Sequence, residues 1–404
     1  MNLNKKTVSD YYKLNLKRKY WQLDPKVKFL NHGSFGACPI PILEYQQQIR
    51  DQIEQQPVRF FQRELEGLLD DAIAKLAKFI GADAGNLAFI PNATAGVNTI
   101  LRSLSFNCGD EILITNHEYN ACRNAVEFVA HSMDAKVTVA EIPFPLQSTN
   151  QVREAVLSKV SPATKLVLID HVTSPTGLIF PVPTIVQELN RRGIDTLVDG
   201  AHAPGFIPLN LKEIGAAYYT GNCHKWLFSP KGAGFLHVRE DKQPQIRPLS
   251  ISHGANSSRT DKSRFRLEFD WVGTQDPTAY LSVVKAIDWV ENLLPNGWEE
   301  LRAKNRNLIL EARQIISNKF QLNLPCPDDL IGSMASLPLN QIFSHSNLSA
   351  ELLQNKLLKE FNIEIPLIPF PSSQDKIMRL SAQIYNTIDE YIYLADVMEK
   401  LASN

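Results

Sequence analysis

The sequence predicts an α/β fold: a large domain built on a mostly parallel sheet covered by helices, followed by a smaller α+β C-terminal domain. Two observations carry the large domain. Seven apolar runs of strand length recur between residues 86 and 238, and amphipathic stretches of helical period separate many of them. Strands that alternate with helices form βαβ units, whose sheets are parallel and covered on both faces. A third observation carries the small domain. After a long helical pattern beginning near Leu281, the chain changes to mixed helices and short strands.

The elements follow in order. Strands are expected at "NLAFI" (86–90), "DEILIT" (110–115), "KVTVAEI" (136–142), "TKLVLIDHV" (164–172), "IDTLVDG" (194–200), "AAYYTG" (216–221) and "AGFLHV" (233–238). Helices are expected over 67–80, 94–104, 119–131, 151–160 and 182–193. From about 240 to 270 the pattern becomes polar and irregular, which reads as a long functional loop, because long structureless loops are otherwise uncommon. The expected organisation is an N-terminal segment 1–27, a large cofactor-binding domain 28–285 and a small domain 286–404.

Composition narrows the function. The chain has 404 residues, 44% of them hydrophobic and 21% charged, which is ordinary for a soluble globular protein. A formal net charge of −1 leaves no electrostatic footprint for nucleic acid or an anionic membrane. The N-terminal stretch "NKKTVSDYYKLNLKRKYW" is basic, but no apolar segment follows it as in a secretory signal. No run of about 18 apolar residues is present to span a membrane. Five cysteines, Cys38, Cys108, Cys122, Cys223 and Cys326, are scattered without CxxC spacing. They read as reduced thiols in the cytoplasm rather than a disulfide framework or a zinc site.

The unusual residues cluster where strands end, which is where such sheets bind ligands. After "NLAFI", the segment "PNATAGVN" opens a helix at Thr94, and free backbone N–H groups with the helix dipole suit a phosphate. A threonine there also serves as an ordinary N-cap. After "DEILIT" comes "NHEYNA". His117-Glu118 starts like a zinc-protease motif, but the residue four after His117 is Ala121, so no metal is expected. Tyr119 is either an aromatic platform or plain packing. "TSPTG" supplies Thr173, and "DTLVDGAHAPG" supplies Asp199 and His202. A carboxylate ending a buried apolar strand is costly without a positive partner, whether that partner is a structural arginine or a ligand. Lys225, in "TGNCHKWLFSPKGAG", follows the next strand. An aspartate and a lysine on neighbouring strand ends can converge on one ligand.

An amine, a carboxylate and a phosphate cradle are the three requirements of pyridoxal phosphate. The amine forms a Schiff base, and the carboxylate keeps the ring nitrogen protonated so that the ring accepts electrons from the substrate Cα. "DGAHAPG", "GNCHKWL…GAGFL" and "WVGTQDP" together resemble the class V aminotransferase family, fold type I pyridoxal-phosphate enzymes. "FLNHGSFGACP", "NHEYNA", "HVTSPTG" and "MRLSAQIYNTIDE" are most similar to its isopenicillin N epimerase-like branch. The resemblance runs over about 28–285 and resumes at 377–390.

The resemblance implies roles. Lys225 is the catalytic Schiff-base lysine and Asp199 the partner of the ring nitrogen. Tyr119 stacks on the ring, and Thr173 and His202 contact its hydroxyl. Ala93, Thr94, Asn222 and His224 hold the phosphate, which Thr274 of a second subunit completes, implying a homodimer. Arg379 clamps the substrate α-carboxylate, a task suited to a bidentate guanidinium, and Asn31 lies near the substrate. Desulfurases of this family carry a cysteine shortly before that arginine. Here the stretch is "NIEIPLIPFPSSQDKIM", so a standard persulfide relay is not expected, and Cys223 reads as a small buried residue.

The expected function is therefore chemistry at the Cα of an amino acid, as an epimerase or racemase. C–S lysis by β-elimination and transamination are the alternatives. A nucleotide-binding α/β scaffold is the rival outside enzymes, but GxxxxGK[ST] and GxGxxG are both lacking. Arg259, Lys262, Arg264 and Arg266, or Arg59 and Arg63, are either a solvated basic face or a site for a distal substrate carboxylate.

Overall fold

A computed structural model describes residues 18–343 and 349–403. Residues 1–17, most of the basic N-terminal stretch, lie outside the described residues. After a two-residue strand β1 (Lys28–Phe29), the seven apolar runs form β2 (Leu87–Ile90), β3 (Glu111–Thr115), β4 (Lys136–Ala140), β5 (Thr164–Asp170), β6 (Asp195–Gly200), β7 (Tyr218–Asn222) and β8 (Gly234–Val238). They make one sheet in the order β2-β8-β7-β6-β5-β3-β4. Every pairing is parallel except those of β8, which runs antiparallel to both neighbours. β2 therefore points the same way as β7, and the carboxyl ends of β2, β3, β5, β6 and β7 share one edge.

The near-continuous apolar runs arise because both faces are covered. In β5, Val167 and Ile169 join the core on one side, while Leu166 and Leu168 join a second core on the other. Alternate side chains point to opposite faces, so neither can be polar. The expected helices appear at Leu65–Ile80, Ala93–Ser103, Asn120–Ser132, Thr149–Ser158 and Val182–Arg191.

The smaller antiparallel sheet contains β9 (Met334–Pro338), β11 (Leu367–Ile368) and β12 (Ile377–Ser381), in the order β11-β12-β9. β10 (Ile363–Glu364) pairs in parallel with β1, so the chain's first strand is tied to its C-terminal part. Arg18 reinforces this tie through an ion pair with Glu390 at 3.0 Å.

The expected loop over 240–270 needs correction. It contains two short 3-10 turns and ends in a helix, Arg264–Phe269. Phe265 and Phe269, four residues apart, fall on one helix face, are buried, and pack with ring centroids 4.6 Å apart. Burying each contributes about 1.5–3 kcal/mol, which outweighs the polar character of its neighbours.

Candidate active site

The shared strand edge opens into a cavity of about 350 Å³. Its wall includes Thr94, Tyr119, Asp199, His202, Asn222, His224, Lys225 and Arg379, with Ala93 at the helix start. The sequence placed these residues on five separate segments. Gly33, Ser34, Phe35, Asn92, Asp170, Ser174 and Ala201 complete the lining.

Lys225 lies on the turn after β7. His32 fixes that turn through its Nε2–H, donated to the Lys225 carbonyl at 3.1 Å, while its Nδ1 accepts from Tyr385 Oη at 2.8 Å. Gly36, at φ +70°, allows close approach on this side; a Cβ there would lie 2.6 Å from the His224 carbonyl oxygen. The Lys225 Nζ lies 3.2 Å from His202 Nε2. Burial, with the Arg379 charge nearby, lowers the lysine to about 8, against the pull of Asp199, Cys122 and Asp170.

Asp170 and Asp199 sit opposite each other in the β5–β6 register. Asp199 accepts from the Ala201 amide at 2.8 Å and the Cys122 thiol at 3.3 Å. Behind it, the ligand atoms of Glu118, Cys122 and Asp199 all lie within 4.8 Å of one another. Burial raises all three acids, Glu118 and Asp170 well above the carboxylate range. Among the described residues neither oxygen of Glu118 has a hydrogen-bond partner, nor does Asp170 Oδ2. The Tyr119 amide offsets part of the shift at Glu118 without completing a hydrogen bond. Two donors thus favour the anion at Asp199, and like-charge repulsion keeps its neighbours protonated. The cluster carries its negative charge where the cavity needs it.

This arrangement sets a pH dependence. Glu118 is protonated in the fold but ionised in the unfolded chain above its ordinary value of 4.5. Folding then requires proton uptake, and its contribution to stability falls by up to roughly 1.4 kcal/mol per pH unit above that value, until the folded group itself ionises. Glu118→Gln copies the neutral acid and removes this dependence. The variant is expected to melt higher than wild type at pH 7.5, with the difference vanishing near pH 4.5. A thermal melt series with parallel curves would show that Glu118 is ionised in the fold.

The helix Ala93–Ser103 presents its N-terminus to the cavity, where it could hold a phosphate. Its N-terminus reaches the cavity because Gly96 lies against β7; a Cβ there would meet Thr220 Oγ1 at 2.1 Å. Part of the first turn is already used: Ala93 N–H donates to Asn222 Oδ1 at 2.8 Å and Ala95 N–H to Asn92 Oδ1 at 2.9 Å. Thr94 brings its hydroxyl and an amide without an intrahelical acceptor. His224 Nδ1 must donate to the Ala233 carbonyl at 2.8 Å, which leaves Nε2 proton-free in the neutral ring. Burial depresses His224 to about 4. It can donate to a phosphate once that anion's charge has raised its proton affinity.

Arg379 projects from β12. Its guanidinium donates to Ser34 Oγ at 3.0 Å and to the Ser174 carbonyl, and its Nε has no partner. Among the described residues no carboxylate pairs with it, so no salt bridge there explains its burial. Asn31 stands one step behind, accepting from Ser34 at 2.6 Å and donating to Glu364 at 3.1 Å.

Three sequence-predicted residues do not line the cavity: Thr173, Thr274 and Asn31, which stands behind Ser34. The Thr173 hydroxyl is taken up by its own turn, at 2.6 Å from Thr176 Oγ1 and accepting from the Leu178 amide at 2.9 Å; its neighbour Ser174 lines the wall instead. Thr274 lies in a separate surface hollow with Pro57, Val58, Phe61, Gln62, His253 and Trp271. The basic stretch is also neutralised within the chain. Arg259 pairs with Glu66 and Asp261, Lys262 with Asp70, Arg264 with Glu268, and Arg266 with Asp70 and Asp270. Arg59 pairs with Glu64, leaving Arg63 without a polar partner among the described residues.

Sequence reasoning missed Asp170, Glu118 and His32. Asp170 carried the same signal as Asp199, a carboxylate ending an apolar strand. Glu118 appeared only in a rejected metal motif and His32 only within a family motif, because their partners Asp199 and Tyr385 are distant in sequence.

Comparison with known proteins adds a further observation. Residues 55–391 match the family Aminotransferase class-V. The chain is 33% identical to isopenicillin N epimerase of Amycolatopsis lactamdurans, covering 95% of this chain and 98% of that protein. It is 29% identical to the probable chloroplastic L-cysteine desulfhydrase of Arabidopsis thaliana, covering 94% and 83%. Among solved structures, a mutant of the C–S lyase C-DES with glycine covalently linked to its pyridoxal-phosphate cofactor superimposes with a TM-score of 0.79. It shares 21% identity, with 95% of this chain and 98% of that one covered.

Proposed function

The chain belongs to the class-V aminotransferase family, and from that premise we propose that it is a pyridoxal-phosphate enzyme acting at the Cα of an amino acid, with epimerisation as its reaction. The observation that carries this is the convergence of Lys225, Asp199 and the Ala93–Ser103 helix start on one cavity. The donor set fits the group: a depressed amine, a hydrogen-bonded carboxylate and an exposed helix N-terminus. Pyridoxal phosphate bound there would supply the sink for the electron pair left at Cα.

The chain's own residues do the rest. Asp199 would hold the ring nitrogen protonated. Thr94, Asn222 and His224 would hold the phosphate, and Tyr119, 46% exposed at the rim, would cover the ring. The buried Arg379, whose Nε is unpartnered, would bind the substrate α-carboxylate and fix the Cα–H near Lys225. An amine near 8 exchanges a proton at Cα at neutral pH without a large energetic mismatch.

The working unit is proposed to be a homodimer. Val58, 63% exposed in the hollow beside Thr274, supports a covered apolar surface there. Thr274 would reach the partner's phosphate from this side. Five free cysteines support a cytoplasmic, reducing compartment. No helix among the described residues is long and apolar enough to cross a membrane.

The test is a panel of L-amino acids with the cofactor-loaded protein, following optical rotation, pyruvate, sulfide and keto acids together. Epimerisation predicts loss of rotation without pyruvate. Stoichiometric pyruvate with sulfide would make the protein a C–S lyase, and keto-acid formation a transaminase. In the same assay Arg379→Lys is expected to lower kcat/KM roughly ten- to a hundredfold, the worth of a charge-assisted bidentate contact. An unchanged value would remove Arg379 from substrate binding.

A further inference from the structure

Lys225 is followed by Trp226, a buried indole whose Nε1 lies 3.2 Å from His202 Nδ1. An indole N–H can donate but not accept. The Nδ1 it faces must therefore be the proton-free nitrogen, and the ring carries its proton on Nε2. That Nε2 faces Lys225 Nζ at 3.2 Å. An N–H directed at an ammonium group would set donor against donor, whereas directed at a free amine it meets a lone pair.

We propose that Trp226 is a positioning residue that locks His202 in its Nε2–H tautomer, so that the imidazole donates to Lys225 and holds it as the free amine. The inference concerns the state of the lysine and deepens the proposed function, which gives that amine its use.

The surroundings support the lock. Trp226 is held edge-on against Phe206 at 4.9 Å and tilted against His32 at 4.7 Å, so its N–H has little freedom to turn away. Burial and the Lys225 and Arg379 charges all oppose a second proton on His202. The titratable groups facing Lys225 are His202, Asp199 and Asp170 from the sheet edge, Cys122 from the helix Asn120–Ser132 and Arg379 from β12. His32 and His224 face His202. Changing Trp226 replaces none of these groups, though the indole touches two of them, His202 and His32. Without the indole, His202 could move its proton to Nδ1 and present a bare Nε2 to Lys225. The ammonium form would then gain an acceptor.

Trp226→Phe is accordingly expected to raise the midpoint of Lys225 ionisation by about one pH unit, the scale of one charge-assisted hydrogen bond. The readout is competitive acetylation of cofactor-free protein with acetic anhydride across pH, quantified by mass spectrometry on the Lys225 peptide. In a His202→Gln background, where no tautomer exists, Trp226→Phe should leave the midpoint in place. An unshifted midpoint in the single variant, or an equal shift in both backgrounds, would overturn the proposal. Should Trp226→Phe fail to fold, the ring-nitrogen signals of ¹⁵N-histidine-labelled wild type, assigned by their loss in His202→Gln, decide the matter. A protonated Nε2 with a bare Nδ1 is expected, and a protonated Nδ1 or averaging between the two would refute the lock. Neither arm uses the cofactor, so failure here leaves the proposed function standing. Failure of pyridoxal phosphate to attach to Lys225 would overturn that function and leave the tautomer intact.

Discussion

Lys225→Ala is expected to fold normally and to lose turnover by roughly 10⁴-fold or more, since general-base and covalent contributions vanish together. The fold should tolerate the change because Nζ has a single hydrogen-bond partner among the described residues, His202, and the turn is fixed through the backbone carbonyl by His32. The helix start, Asn222, His224 and Asp199 are untouched, so the variant should still bind pyridoxal phosphate without a covalent bond. Steady-state kinetics and equilibrium dialysis of the cofactor measure the two halves separately. Retained turnover would show that another group moves the proton.

Asp199→Asn is expected to cost roughly 10³-fold in kcat, on the scale of other preorganised charges at reacting centres. The amide oxygen can still accept from the Ala201 amide, so the turn after β6 should survive. What the variant lacks is the anion, and with it the means to hold a proton on the ring nitrogen. The neighbouring acids make a secondary effect. Asp170 and Glu118 are raised by burial and in part by the Asp199 charge. Without that charge Asp170 should ionise more readily and recover a little activity at high pH. Asp170→Asn added to the variant should then remove that recovery. Kcat against pH for the two variants measures it, and near-wild-type turnover in Asp199→Asn would make the carboxylate merely structural.

Much of this architecture was legible from local chemistry. A strand buried on both faces must be apolar throughout, so β5, β6 and β7 stand out, and polar residues directly after them are conspicuous. Lys225, Asp199 and Thr94 were found in that way. β8 was legible as a strand but not as the antiparallel member of the sheet, because its direction depends on the short connection after Lys225 rather than on its own residues. Thr173 was misplaced for a related reason: its hydroxyl closes the turn with Thr176 and Leu178, a local demand that a strand-end rule does not see.

The long polar stretch hid Phe265 and Phe269, two core residues among many charges. Some of its cations looked available for a ligand because two of their carboxylates, Glu66 and Asp70, lie nearly two hundred residues away, although Asp261, Glu268 and Asp270 are local. Separation along the chain also concealed Glu118 beside Asp199 and Tyr385 behind His32. Contacts between remote segments have no period or spacing to reveal them.

The central claim is that one cavity presents Lys225 to pyridoxal phosphate while Asp199 and the Ala93–Ser103 helix start hold the rest of it. The most direct measurement is to load the wild-type protein with pyridoxal phosphate, reduce with borohydride and map the modified peptide by mass spectrometry. The account predicts a single label on Lys225, displaced when a substrate amino acid is present. A label on any other lysine, or none at all, would contradict it.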